Sequence, residues 1–206
     1  MTRVRPGGGQ DRDAGNSAAG APHGLDGPEP APLPHLVLVG LPGAGKSTVG
    51  ALAASALGSE FLDFDVEIQH RTRMTIGELF AQIGESAFRE MEHELTREVL
   101  TKAPMVLAPG GGWVTIPANL ALARPVARII HLKVGVDRAL RRLGSAVAAR
   151  PLLASQDPRK ALSALWKARE PIYREADAEI DTEVIDSQSV TTVLLALAAT
   201  WGWRVG

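Results

Sequence analysis

The chain has 206 residues, 45% of them hydrophobic, enough to bury one sizeable core. Its formal net charge of -1 provides no overall basic field to attract nucleic acid. Cysteine is absent, which excludes disulfides and thiol chemistry and suits a reducing cytoplasm. The apolar run at residues 193–199 is too short to span a bilayer, and no N-terminal stretch has the form of a secretory signal.

Residues 1–34 are expected to form a disordered leader. Gly7-Gly8-Gly9 and Pro28, Pro30, Pro32 and Pro34 leave little to bury, and the prolines favour an extended approach to the first strand. Leu36-Val37-Leu38-Val39 reads as that strand, parallel and buried on both faces. It runs into Gly40-Leu41-Pro42-Gly43-Ala44-Gly45-Lys46-Ser47-Thr48, which fits the phosphate-loop pattern G-x-x-x-x-G-K-[ST]. Val49, Leu52, Ala53, Ala56 and Leu57 continue at helical spacing, so a helix begins in the loop. Glycines let backbone N–H groups converge on phosphate oxygens, and the helix N-terminus adds partial positive charge. Gly43, Ala44, Gly45, Lys46, Ser47 and Thr48 are therefore the candidate nucleotide-binding residues, with Lys46 reaching the β- and γ-phosphates and Ser47 ligating magnesium. A glycine-rich turn before an ordinary helix would explain the glycines but not Lys-Ser directly after Gly45.

Glu60-Phe61-Leu62-Asp63-Phe64-Asp65 reads as a second strand ending in two carboxylates, set on the same side if the strand continues. In open α/β sheets ligands gather beyond such strand ends. One carboxylate would position magnesium through water, and the other would accept a hydrogen bond or a proton from an attacking hydroxyl. The plainer alternative is a strand terminus with a helix-capping aspartate. Thr75 and Glu78 have capping-box spacing for a short helix that Gly84 ends. A longer helix is expected over residues 85–101, with Phe88, Met91, Leu95 and Val99 as its apolar stripe. Arg89, Glu92 and His93 lie on the other side; Arg89 and Glu92 can pair, as an exposed salt bridge or as part of a site, and His93 reads as a surface residue.

Residues 104–109 form the third expected strand, entering Gly110-Gly111-Gly112, where three glycines offer close backbone approach to a small ligand. Trp113 is expected to pack rather than stack on substrate. A short helix opens at Pro117, and residues 127–134 form the fourth strand, with His131 read as a satisfied core or edge residue. Arg138, Arg141, Arg142 and Arg150 come next with no acid among residues 138–150, and small residues make the middle pliable, as in a flap closing over polyphosphate. A solvated helix face is the alternative for Arg138 and Arg141. The next helix is expected to break or kink at Pro171. A fifth strand at 178–182 and a closing helix at 189–201 complete an α/β fold, a doubly wound parallel sheet covered on both faces.

Taken together, the phosphate loop, Asp63-Phe64-Asp65, Phe88-Arg89-Glu90-Met91-Glu92, Gly110-Gly111-Gly112, Arg150-Pro151-Leu152-Leu153 and Arg169-Glu170-Pro171-Ile172-Tyr173 resemble the shikimate kinases, small relatives of the nucleoside monophosphate kinases, over residues 35–200. The resemblance implies a five-stranded sheet of order 2-3-1-4-5, a substrate-binding insert at about 65–102 and a lid at about 143–157. It implies transfer of a phosphoryl group from ATP, with Mg2+, to the 3-hydroxyl of shikimate, a step of aromatic amino-acid biosynthesis, by a cytoplasmic monomer that needs neither nucleic acid nor membrane. Lys46, Asp65 and Arg150 would be catalytic. Asp65, Arg89 and Arg169, with the backbone at Gly111 and Gly112, would bind shikimate; Ser47 and Asp63 would serve the metal, and Arg142 and Arg150 the nucleotide, Arg142 at adenine. Trp113 stands where a small residue is expected and would reshape the pocket wall. Two rivals are another phosphate-loop kinase of small metabolites, such as a gluconate or nucleotide kinase, and a non-catalytic ligand sensor. Removing residues 1–32 is expected to leave melting temperature and turnover unchanged, because truncation tolerance tracks burial; a loss of several degrees on thermal unfolding would show the opposite.

Overall fold

A computed structural model describes residues 32–148, 150–154 and 156–206. Most of the expected leader, residues 1–31, lies outside the described residues. The first strand, β1 (His35–Val39), is buried along its whole length and occupies the centre of a five-stranded parallel sheet. It pairs on one side with β3 (Val106–Ala108), which pairs in turn with β2 (Phe61–Asp63). On its other side lies β4 (Ala127–Lys133), and beyond it β5 (Ala178–Asp181). The order is therefore β2-β3-β1-β4-β5, as expected.

Alternation along β1 divides the core. Leu36 and Leu38 face the layer containing α1 (Lys46–Leu57), α5 (Val136–Leu143) and α7 (Ser187–Thr200). Val37 and Val39 face the layer containing α2 (Phe64–Thr72), α3 (Ile76–Val99) and α4 (Pro117–Ala123). α6 (Pro158–Tyr173) contributes to both, through Leu162 to the first and Tyr173 to the second. With helices on both faces, the strands need no polar alternation, which is why they read as continuous apolar runs.

Three local expectations are corrected. β2 stops at Asp63 and α2 starts at Phe64, so Asp65 sits in a helical first turn rather than at a strand end. The Asp63 carboxylate accepts from the Asp65 and Val66 backbone N–H groups, and this cap ends the strand. α6 runs without interruption to Tyr173, because Pro171 lies in its last turn and removes only one backbone bond there. Pro34, included in the expected leader, is buried, and its carbonyl accepts from Trp203 Nε1 at 3.0 Å. Thr75 and Glu78 make their expected capping box, and Gly84 breaks α3 with φ 77°.

Trp203 packs into the layer of α1 and α7 and is only 6% exposed. Trp203→Ala is expected to cost about 3 kcal/mol through the cavity it leaves. Urea unfolding should show a lower midpoint with unchanged slope, whereas the exposed Val205→Ala should be near neutral.

Candidate active site

The loop between β1 and α1 presses against α5: a Cβ added at Gly43, where φ is +83°, would lie 2.5 Å from the Ala139 carbonyl oxygen. Only glycine combines that conformation with that approach. Lys46 Nζ turns back over the loop and donates to the carbonyls of Gly40 (3.1 Å) and Leu41 (3.4 Å). Burial, and then the charge of Arg150, lower its pKa to about 8. Ser47 Oγ donates to Asp63 Oδ2 at 2.5 Å, while Asp63 Oδ1 caps α2. The capping and site readings of Asp63 thus both hold, one for each oxygen.

Asp65 lies one step further, with its Oδ2 3.8 Å from Arg150 Nη1. Burial, and then the neighbouring Asp63, raise its pKa. Arg89 is held by two acids of its own helix: Nη1 donates to Glu92 Oε2 at 2.5 Å and Nη2 to Glu85 Oε1 at 2.9 Å. Glu92 is fully buried, so this is no exposed surface pair; burial pushes its carboxyl up while Arg89 opposes the shift. Arg169 is 4% exposed, burial lowers its pKa, and no carboxylate among the described residues lies within ion-pair distance.

The triple glycine has a reason the sequence did not reveal. A Cβ at Gly110 would sit 2.5 Å from Glu92 Oε1, and one at Gly112 would collide with the Arg89 guanidinium. These glycines admit the side chains of α3 as well as any ligand. Trp113 is 1% exposed and is not part of the cavity wall, which corrects the expected reshaping of the pocket. Its Nε1 donates to Thr96 Oγ1 at 2.7 Å from within the core. His93 is likewise no surface residue, since it is half-buried with Nδ1 2.7 Å from Asn119 Oδ1.

Two cavities adjoin. One, of about 380 Å3, is lined by Asp65, Arg89, Gly111, Gly112, Arg150 and Arg169, with Phe80 and Phe88 among its apolar walls. The other, of about 460 Å3, runs along residues 43–48 and reaches Arg138, Arg142 and Val190. Ser47 and Arg150 line both. Every site residue expected from the sequence therefore falls in one cavity or the other. Arg142 reaches the second while donating to the Thr182 carbonyl at 2.5 Å and to its hydroxyl at 3.0 Å. Gln69, and Thr75 beyond its capping role, were not expected in the first cavity, and Arg138 in the second was left between a flap over polyphosphate and a solvated helix face. Helical spacing from Arg138 to Arg142, one turn, was the available signal for the last.

A phosphate loop opening onto one groove, beside a cavity rich in guanidinium groups, defines a phosphate-loop kinase acting on a small anionic metabolite. A model of the shikimate kinase family (SKI) matches residues 42–198, and the chain belongs to that family. The shikimate kinase of Moorella thermoacetica is 38% identical over 167 residues, 81% of this chain and 95% of that protein. That of Mycobacterium avium is 44% identical over 144 residues, 69% and 80% of the two chains. The structure of Acinetobacter baumannii shikimate kinase in complex with shikimate aligns with a TM-score of 0.78 and 37% identity, covering 82% of this chain and 94% of that one. A gluconokinase from Sinorhizobium meliloti, with a TM-score of 0.55 and 16% identity over 82% of this chain and 94% of that one, shares the fold alone.

A lysine held at about 8 loses its charge as pH rises through that value, well below the ordinary 10.5. Affinity of the free protein for ATP is therefore expected to fall about fivefold between pH 8 and pH 9, with proton uptake on binding near pH 8. Calorimetric titration in buffers of different ionisation enthalpy measures both; Lys46→Met should abolish the uptake.

Proposed function

We infer that the protein transfers the γ-phosphoryl group of ATP to the 3-hydroxyl of shikimate, giving shikimate 3-phosphate for aromatic amino-acid biosynthesis. The observation that carries this reading is that the acceptor cavity and the phosphate-loop groove meet at Ser47 and Arg150. A hydroxyl and a terminal phosphate can approach in line only at such a junction.

In this reading Arg89 and Arg169 hold the shikimate carboxylate, and Asp65 accepts from the ring hydroxyls. Burial strengthens Asp65 as a base, suiting it to take the proton released as the hydroxyl oxygen bonds to phosphorus and the bridging oxygen departs with ADP. Lys46 and Arg150 neutralise the charge that develops on the transferring group. The backbone of residues 43–48 cradles the phosphates, and Arg142 lies against adenine. Ser47 Oγ and Asp63 Oδ2 are adjacent hard oxygen donors, and among the described residues no cluster of three or more acidic, histidine or cysteine side chains forms an all-protein metal cage. That set fits Mg2+, which takes its remaining ligands from phosphates and water and shields their charge.

The lack of cysteine and the use of ATP support a cytoplasmic location. Among the described residues, no helix is long and apolar enough to cross a membrane. A net charge of -1 offers nothing to nucleic acid. A lid role for residues 143–157 is supported by Arg150, Pro151, Leu152 and Leu153 lining the acceptor cavity.

A coupled assay with shikimate, quinate, gluconate and nucleoside monophosphates tests the substrate; turnover confined to any of the others would overturn the reading. Arg150→Ala is expected to lower turnover by about 10^2-fold or more while scarcely changing shikimate affinity measured without nucleotide. If binding collapsed and turnover at saturation survived, Arg150 would belong to the acceptor site instead.

A further inference from the structure

The two guanidinium groups of the acceptor cavity are held in different ways. Arg89 is braced by the carboxylates of Glu85 and Glu92. Arg169 has no such brace among the described residues, although it is the more deeply buried of the two. A long side chain with no fixed partner carries considerable rotamer entropy, and holding a carboxylate with it requires that freedom to be removed.

An aromatic assembly lies beside it on the same helix. Trp166, Arg169 and Tyr173 are spaced three and four residues apart along α6, so they share one face. Tyr173 stacks on the His131 ring at 4.5 Å between centroids with the planes 11° apart, and Trp166 stacks on the same ring at 6.0 Å. His131 belongs to β4, opposite Val39 at the end of β1, and its Nδ1 lies 3.0 Å from Glu179 Oε2 on β5. Glu179 in turn accepts from Lys133 Nζ at 3.0 Å. The imidazole is thus a fixed platform, tied to the sheet on one side and covered by α6 on the other.

Packing alone does not account for tyrosine at position 173. Its hydroxyl is buried without a well-formed hydrogen bond, approached only loosely by Arg169, whereas phenylalanine would fill the same space without that desolvation cost. Arg169 stands one turn earlier on the same helix. Burial pushes the Tyr173 hydroxyl up to about 12 against the opposing charge of Arg169, so at neutral pH it is a neutral acceptor beside a cation.

We propose that His131 and Tyr173 are positioning residues: the stacked rings fix Tyr173, whose hydroxyl orients the Arg169 guanidinium toward the carboxylate of the acceptor. A neutral brace leaves the charge of Arg169 undiminished for the ligand, which a carboxylate brace would not. This rests on the reading of the cavity as the shikimate site.

The test uses the full-length protein. Tyr173→Phe keeps the ring and should melt within a few degrees of the wild type. Its KM for shikimate is expected to rise about tenfold, with kcat within twofold and KM for ATP unchanged. Calorimetry without nucleotide should show the same loss for shikimate, but none for the analogue bearing a carboxamide in place of the carboxylate. His131→Ala should repeat the KM effect, and His131→Phe, which restores a flat ring, should recover it. If wild type binds shikimate and Tyr173→Phe binds it equally well, or loses carboxamide binding to the same degree, the positioning role is wrong while the function stands. A wild type that fails to bind shikimate overturns both.

Discussion

Cationic charge withheld from water is the constraint around which the molecule is arranged. Lys46, Arg89, Arg150 and Arg169 converge on adjoining cavities beside the end of the central strand β1. The nearby acids are largely committed: Asp63 to capping α2 and to Ser47, and Glu92 to Arg89. Burial lowers the pKa values of Lys46 and Arg169 and raises those of Asp65 and Glu92, whereas at Arg89 it is outweighed by the Glu92 and Glu85 carboxylates. An anionic ligand relieves this imbalance on entry. Which anionic group each cavity suits then depends on where each cation is anchored.

The anchoring is set by the order of the strands. Because β1 lies between β3 and β4, its C-terminal turn is flanked by the ends of both neighbours. The β3 end supplies the glycines against which Arg89 and Arg169 lie, and the β4 end leads to α5, which packs on the phosphate loop. β2 delivers Asp63 and, through the first turn of α2, Asp65. Parallel pairing with helical crossovers sends all these strand ends to the same edge, so residues distant in sequence meet without long loops.

That arrangement explains what could be read in advance. The strand order came from the family resemblance, but the strands themselves were legible because burial on both faces makes them continuous apolar runs. The phosphate loop was legible because its chemistry is local, every contributing residue lying within one turn and one helix start. Asp65 reaches the arginine-lined cavity by a different backbone path from the one expected: Phe61 and Phe64 prolong an apparent strand, but the Asp63 cap switches the backbone to helix between them. Pro171 suggested a break because its effect depends on distance from the helix end, and that end was not marked in the sequence. Trp113 packs as expected, but His93 was misjudged as a surface residue, and Trp113 as part of the pocket wall, because their partners, Asn119 and Thr96, belong to other elements.

The triple glycine joins these threads. From sequence, three glycines after a strand signify space for a ligand, and they do line the acceptor cavity. Yet a Cβ at Gly110 would press on Glu92, one at Gly112 would strike Arg89, and one at Gly111 would come within 3.1 Å of Arg169. The glycines therefore act on the ligand largely through the arginines, by letting two buried guanidinium groups approach the end of β3 from α3 and α6. A side chain at Gly111 or Gly112 would press on a guanidinium group directly, and one at Gly110 would press on the Glu92 carboxylate that holds Arg89. Since each guanidinium must keep its planar face and donors aligned to grip a carboxylate with two hydrogen bonds, a displacement of even a few tenths of an ångström weakens the grip. The absence of side chains at these positions is thus as much a part of the charge arrangement as the arginines themselves.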